Sequence, residues 1–156
     1  MSRLGGLGGR RLDLDRLRRG MPDRLTVSER SAHMRRIRKR DTSPELTVRR
    51  IAHSLGYRFR LHRRDLPGTP DLVFPRLRKA ILVHGCFWHQ HEGCRLARQP
   101  KSRLEYWLPK LKRNQERDQI AAEELAALGW RSLVVWECET ARTDALRGKV
   151  AHFLAR

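Results

Sequence analysis

The chain has 156 residues, with 35 Lys and Arg against 17 Asp and Glu and a formal net charge of +18. That length suits one domain with a modest core. No apolar run exceeds the four residues of Ala80–Val83, far short of the roughly 20 that a membrane span needs, so a transmembrane protein is excluded. The positive excess points to a polyanionic partner, most often nucleic acid, without separating an enzyme from a ribosomal or histone-like binder.

Residues 1–40 hold 13 Lys and Arg against 4 Asp and Glu, half of the whole excess in a quarter of the length. Residues 1–25 place four Gly among the first nine positions, then a basic run without periodicity. They are expected to be a disordered tail, leaving residues 26–156 as a single domain. No apolar leader of the secretory kind is visible, so a cytoplasmic location is expected. Thr42-Ser43-Pro44-Glu45 predicts a capped helix start, with Leu46, Ala52 and Leu55 following at helical spacing and Gly56 as its stop. Tyr57–His62 alternates and predicts a strand with one buried face. Leu66–Pro70 reads as a turn before a strand beginning at Asp71, and Ala80–His84 as a further buried strand. After a loop over Gly85–Lys101, a long helix is expected from Leu104 to Gly129. Its core positions are Leu104, Trp107, Leu108, Leu111, Ile120, Ala121, Leu125 and Leu128. Trp130–Trp136 is the last predicted strand and Thr143–Leu154 a terminal helix. This order implies a mixed α/β domain with a small central sheet flanked by helices.

Chemistry concentrates in His84-Gly85-Cys86-Phe87-Trp88-His89-Gln90-His91-Glu92-Gly93-Cys94. With no secretory leader, three cysteines favour metal binding or a catalytic thiol over a disulfide framework. Structural zinc takes four N/S ligands in a tetrahedron, so three thiols need one imidazole. Cys86, His91, Cys94 and Cys138 make up that set, against the simpler reading of buried thiols and surface histidines. His84 and His89 are then left for general-base or phosphate-binding work, or for ordinary packing. His33, His53, His62 and His152 carry no such signal. Asp71 opens an apolar strand, where an acid must be paired or ligate a cation such as Mg²⁺ unless it only starts the turn. Asn114 and Asp118 lie one turn apart on a helix face that solvent alone could explain. Glu45 has its capping role. Phe87-Trp88 places two adjacent large aromatics in a polar loop, where they could stack on bases or wedge between them.

Several blocks together resemble the very short patch repair endonucleases, which nick DNA 5′ to the T of a T:G mismatch. They are Pro67-Gly68-Thr69-Pro70-Asp71-Leu72-Val73, His84–His89, Glu105-Tyr106-Trp107, Asn114–Asp118, Gly129-Trp130-Arg131 and Val135–Cys138. The resemblance runs from about Ser31 to Glu139 and is most specific at HGCFWH. It implies a restriction-endonuclease-like core with a structural zinc loop, the zinc held by Cys86, His91, Cys94 and Cys138. It implies catalytic Mg²⁺ on Asp71 and on the backbone carbonyl of Val83. His89 would be the general base, Asp118 its orienting carboxylate, His84 a phosphate-contacting histidine and Glu45 an acidic residue near the active site. Phe87, Trp88 and Trp107 would wedge into the duplex with Met34 entering from the other groove, and Asn114 would join the DNA-binding set. For Trp107 this displaces the core assignment that periodicity suggests.

The implied partner is double-stranded DNA bearing a T:G mismatch, met by a monomer that could also engage other mismatch-repair proteins. Two alternatives stand beside this reading. One is a zinc-stabilised DNA-binding module without catalysis, which leaves Asp71, His89 and Asp118 idle. The other is a nuclease of the same core acting on another lesion or structure.

Overall fold

The computed structural model describes residues 26–37 and 40–155, and the tail expected over residues 1–25 lies outside them. By backbone contacts the chain divides into two units, Met1–Arg35 and Arg36–Arg156. The described part of the first is almost wholly helix α1, Val27–Arg36, which the sequence pattern does not predict. Its start is a capping box. Thr26 N donates to Glu29 Oε2 at 2.8 Å, and Glu29 N donates to Thr26 Oγ1 at 3.2 Å. The cap residues are present in the sequence, but no apolar period follows them to mark a helix.

The second unit runs α2 (Ser43–Ser54), β1 (Arg60–Leu61), β2 (Leu72–Phe74), β3 (Lys79–His84), α3 (Leu104–Ala127), β4 (Arg131–Trp136) and α4 (Thr143–Ala155). The sheet order is β1-β2-β3-β4, antiparallel until β3 and β4 pair in parallel. The mixed α/β architecture with a small central sheet is as expected. The parallel pair requires a crossover, and α3 supplies it.

Alternation on the strands builds two cores. Leu72, Phe74, Ile81 and Val135 face α2 and α4, where Val48, Ile51, Leu146 and Val150 close the layer. Val73, Ala80 and Leu82 face the other way and pack on Leu66 and Leu125. Gly68 permits the close approach of the Leu66–Pro70 turn to α3. Its φ is +71°, and a Cβ there would stand 2.8 Å from that of Ala121.

The free edge of β4 is covered by a charged pair. Lys149 Nζ donates to the Val134 carbonyl at 3.1 Å, Glu139 Oε2 accepts from Trp136 N at 2.8 Å, and the two side chains meet at 2.7 Å. Unpaired strand edges are templates for aggregation, and this clamp blunts one.

Three local expectations are corrected. The strand predicted over Tyr57–His62 shrinks to Arg60–Leu61 with Leu61 exposed. Tyr57 and Phe59 instead pack edge-on against Phe74 from outside the ladder. On α2 the buried face is Val48, Ile51 and Ala52, while Leu46 is exposed. On α3 only Leu111, Ala121 and Leu125 are buried, whereas Leu104, Leu108, Ile120 and Leu128 are exposed. Helical period marks an apolar face but not how far the sheet beneath it extends. No helix among the described residues is long and apolar enough to cross a membrane.

Candidate active site and metal centre

Asp71 sits where the chain leaves the Gly68–Pro70 turn and enters β2. One carboxylate oxygen accepts from Val83 N at 2.6 Å and the other lies 3.7 Å from His62 Nδ1. N–H and C=O of one strand residue point to the same edge, so the Val83 carbonyl faces the Asp71 side as well. Burial pushes the Asp71 carboxyl up to about 6 against the pull of the Val83 amide, and Glu45 adds to the rise. Two largely buried carboxylates that feel each other's charge, Asp71 and Glu45, fit a hard divalent cation with oxygen ligands.

That raised value has a stability consequence. The native state holds the Asp71 proton more tightly than the unfolded chain, so its contribution is present below the unfolded value and lost as pH rises through about 6. Two pH units correspond to about 3 kcal/mol. Asp71→Asn is therefore expected to be more stable than wild type above pH 7 in Mg²⁺-free buffer, by about 3 kcal/mol, falling to about half that at pH 5. Urea unfolding at several pH values checks this, and an advantage that is absent or independent of pH refutes it.

Glu45 is the buried end of the capping box at α2. It accepts from Asp41 N at 2.9 Å, from Thr42 Oγ1 at 3.0 Å and from Arg49 Nη2 at 3.1 Å. Its cap role and its place near Asp71 are thus the same geometry. Arg49 stands in this cluster as the i,i+4 partner of Glu45 on α2, whereas His62, which carries no local signal in the sequence, is brought there from beyond β1 by the fold.

A second cluster lies at the end of β3. His84 and His89 stack with centroids 3.9 Å apart and planes 9° from parallel. Asp118 Oδ2 meets His89 Nδ1 at 2.5 Å, which leaves Nε2 of His89 to take a proton. Burial, with His89 beside it, depresses His84 to about 4, so it is neutral at physiological pH. His84, His89 and Asp118 offer ligand atoms within 4.8 Å of one another. Rings stacked nearly parallel direct their in-plane lone pairs side by side, not to one point. The arrangement suits an oriented base with a stacked neighbour better than a metal site. A groove of about 250 Å³ between α3 and β4 is lined by these three residues with Gln115, Ser132 and Trp136.

Cys86, His91, Cys94 and Cys138 converge as ligand counting anticipates, all four ligand atoms within 4.8 Å of one another. His91 Nδ1 is 3.6 Å from Cys86 Sγ and 3.4 Å from Cys138 Sγ. Zinc bonded tetrahedrally to S and N would hold them about 3.6 Å apart. Burial pushes the Cys86 thiol up to about 12, and a divalent cation is the charge that would ionise it. Trp136 stacks flat on His91 at 4.2 Å, and Glu137 accepts from Cys86 N at 3.3 Å. Both orient the ligand loop.

The predicted aromatics assemble on the outer half of α3. Phe87, Trp88 and Trp107 lie 5.0–5.9 Å apart centroid to centroid, and Tyr106 joins them at 5.1 Å from Trp107. Lys110 Nζ stands 5.5–5.8 Å over Trp88, Tyr106 and Trp107. None of the three predicted aromatics is in the buried core. Asn114 Nδ2 donates to the Trp88 carbonyl at 3.0 Å, and its Oδ1 accepts from Arg117. Trp88 and His89, adjacent in the loop, are thus held by Asn114 and Asp118, one turn apart on one helix. Met34 is carried by α1 in the other unit.

Comparison with known proteins identifies a family and several relatives. The model of the family described as DNA mismatch endonuclease Vsr matches residues 22–95. A type II nicking enzyme of Xanthomonas oryzae pv. oryzae is 53% identical over 134 residues, covering 86% of this chain and 98% of that protein. The DNA mismatch endonuclease Vsr of Escherichia coli K12 is 43% identical over 129 residues, 83% of this chain and 78% of that protein. A type II nicking enzyme of Neisseria meningitidis is 39% identical over 119 residues, with 76% and 84% covered.

Proposed function

Since the chain belongs to the Vsr family of DNA mismatch endonucleases, we propose that it nicks one strand 5′ to the T of a T:G mismatch in a Mg²⁺-dependent reaction. It is a DNA-nicking endodeoxyribonuclease with a restriction-endonuclease-like α/β core. The observation that carries the finer reading is the juxtaposition at α3 of a half-buried aromatic cluster and an oriented His–Asp pair, held through successive loop residues.

Asp71 and the Val83 carbonyl would hold Mg²⁺, and Cys86, His91, Cys94 and Cys138 would hold zinc. Bound Mg²⁺ would supply positive charge to the scissile phosphoryl oxygen and the leaving oxygen. His89, oriented through Nδ1 by Asp118, removes a proton from the attacking water at Nε2. His84 contacts the phosphate through an N–H, a role its neutral form allows. Glu45, within the same cluster as Asp71, adds negative charge that favours a cation there. Phe87, Trp88 and Trp107 insert beside the mismatch, with Asn114 steadying the loop against the DNA. A wobble pair costs less to unstack than a matched pair, so insertion becomes selectivity. The basic excess supplies salt-dependent phosphate affinity. The protein would act as a monomer in the bacterial cytoplasm, where the nucleoid offers this substrate and other repair proteins follow it.

The test is a strand-labelled duplex with one T:G mismatch, incubated with protein and Mg²⁺ beside matched and other-mismatch controls. Incision 5′ to the T in that duplex alone is expected. Equal incision of all duplexes favours a same-core nuclease of other specificity, and no incision favours a binding module.

A further inference from the structure

We propose that Arg49 and His62 form a positioning pair that orients Asp71 for the divalent cation, acting through a fixed imidazole tautomer. The inference deepens the preceding reading and rests on it for the identity of the cation.

Arg49 reaches three groups at once. Nη1 donates to Asp41 Oδ1 at 2.6 Å, and Nη2 donates to Glu45 Oε2 at 3.1 Å and lies 3.0 Å from His62 Nε2. A guanidinium carries donors only, so the third contact is a hydrogen bond when His62 Nε2 is the bare acceptor. The ring proton then resides on Nδ1, the nitrogen 3.7 Å from Asp71 Oδ1. Glu45 Oε2, 3.6 Å from Nε2, shares the same Arg49 donor and cannot also receive a proton from that bare nitrogen. Asp71 is thereby addressed from two sides, hydrogen-bonded by the Val83 amide on one oxygen and faced on the other by the His62 Nδ1–H across 3.7 Å, an electrostatic contact longer than a hydrogen bond. A carboxylate so held presents its remaining lone pairs in a set direction, as outer partners do for metal-ligating carboxylates.

Two costs accompany the arrangement. His62 has φ +46°, a left-handed conformation that non-glycine residues seldom adopt. Its own N–H donates to the Asp71 carbonyl at 3.4 Å, so the backbone also ties it to the carboxylate's residue. Arg49 Nε is buried without a hydrogen-bond partner among the described residues. Strain and an orphaned donor in one pair persist when the surrounding structure over-determines them, and they cluster at functional sites.

The test compares His62→Ala, which removes the donor, with His62→Asn, whose amide can donate from the Nδ1 position and tolerates left-handed backbone. Arg49→Met, which frees Nε2, is the independent variant if His62→Ala fails to fold. Each is loaded with zinc and titrated with Mg²⁺ by calorimetry without DNA, then assayed for single-turnover nicking against Mg²⁺ concentration. The ¹⁵N shifts of His62 report its tautomer. His62→Ala and Arg49→Met are expected to weaken Mg²⁺ binding about 10- to 100-fold, with His62→Asn near wild type and wild-type His62 protonated on Nδ1. A wild-type Nε2–H tautomer, or Mg²⁺ binding within twofold of wild type in both His62→Ala and Arg49→Met, overturns the proposal. Wild-type incision without T:G preference overturns the functional reading instead and leaves the binding and tautomer results to decide the pair.

Discussion

Asp71→Asn is expected to reduce single-turnover nicking at least about a thousandfold while leaving the protein folded, zinc-loaded and more stable than wild type at pH 8. The rate loss follows from the charge held at the scissile phosphate, worth several kcal/mol, with each 1.36 kcal/mol a factor of ten. The gain in stability follows from removing a carboxylate whose ionisation burial opposes. The carboxamide oxygen can still accept from the Val83 amide, so the turn into β2 keeps its anchor. Opposite signs for activity and stability make the result specific, since a damaged fold would lower both. Gel assays of nicking beside urea unfolding decide the matter. Nicking within tenfold of wild type would remove Asp71 from the site.

The second large effect belongs to the cysteine centre. Cys138→Ser is expected to lose bound zinc, lower the melting temperature by more than about 10 °C and abolish nicking. Zinc binding contributes about 10–16 kcal/mol in small zinc domains, and the segment it would staple here has few apolar anchors. Leu96 in that segment is exposed, and among Phe87–Arg98 no described residue reaches the core. Cys138 reaches the cluster from the turn after β4, so its loss unhooks the loop carrying Trp88 and His89 from the sheet. Elemental analysis, calorimetry and the nicking assay test the three parts. Wild-type protein purified with no zinc, or a variant melting with wild type, would show the cluster to be something other than a structural metal centre.

Much of this site is legible in the amino-acid sequence because its signals are local. Thr42 and Glu45 announce a cap three residues apart, and the folded chain keeps both contacts. Three thiols with one nearby imidazole satisfy a tetrahedron by count alone, and all four residues converge. HGCFWH is compact enough to carry a family likeness by itself. Trp107 is legible only by that likeness, since its helical spacing is the spacing of a core residue.

Residue types, short spacings and turn chemistry determined the order of elements from α2 onward, the Cys86–His91–Cys94 part of the ligand set and the family resemblance, because each depends on neighbours within a few residues. Tertiary structure decided which apolar residues are buried. On α3 Leu111, Ala121 and Leu125 are buried while Leu104 and Leu108 stay exposed, although their period matches that of Leu125. It also decided which polar residues are partners. Arg49, His62 and Asp71 come from α2, the end of β1 and the start of β2: strand pairing sets His62 beside Asp71, and the placement of α2 brings Arg49 to His62. A histidine with no local pattern cannot declare such a role in one dimension, because its meaning lies in contacts that the fold creates.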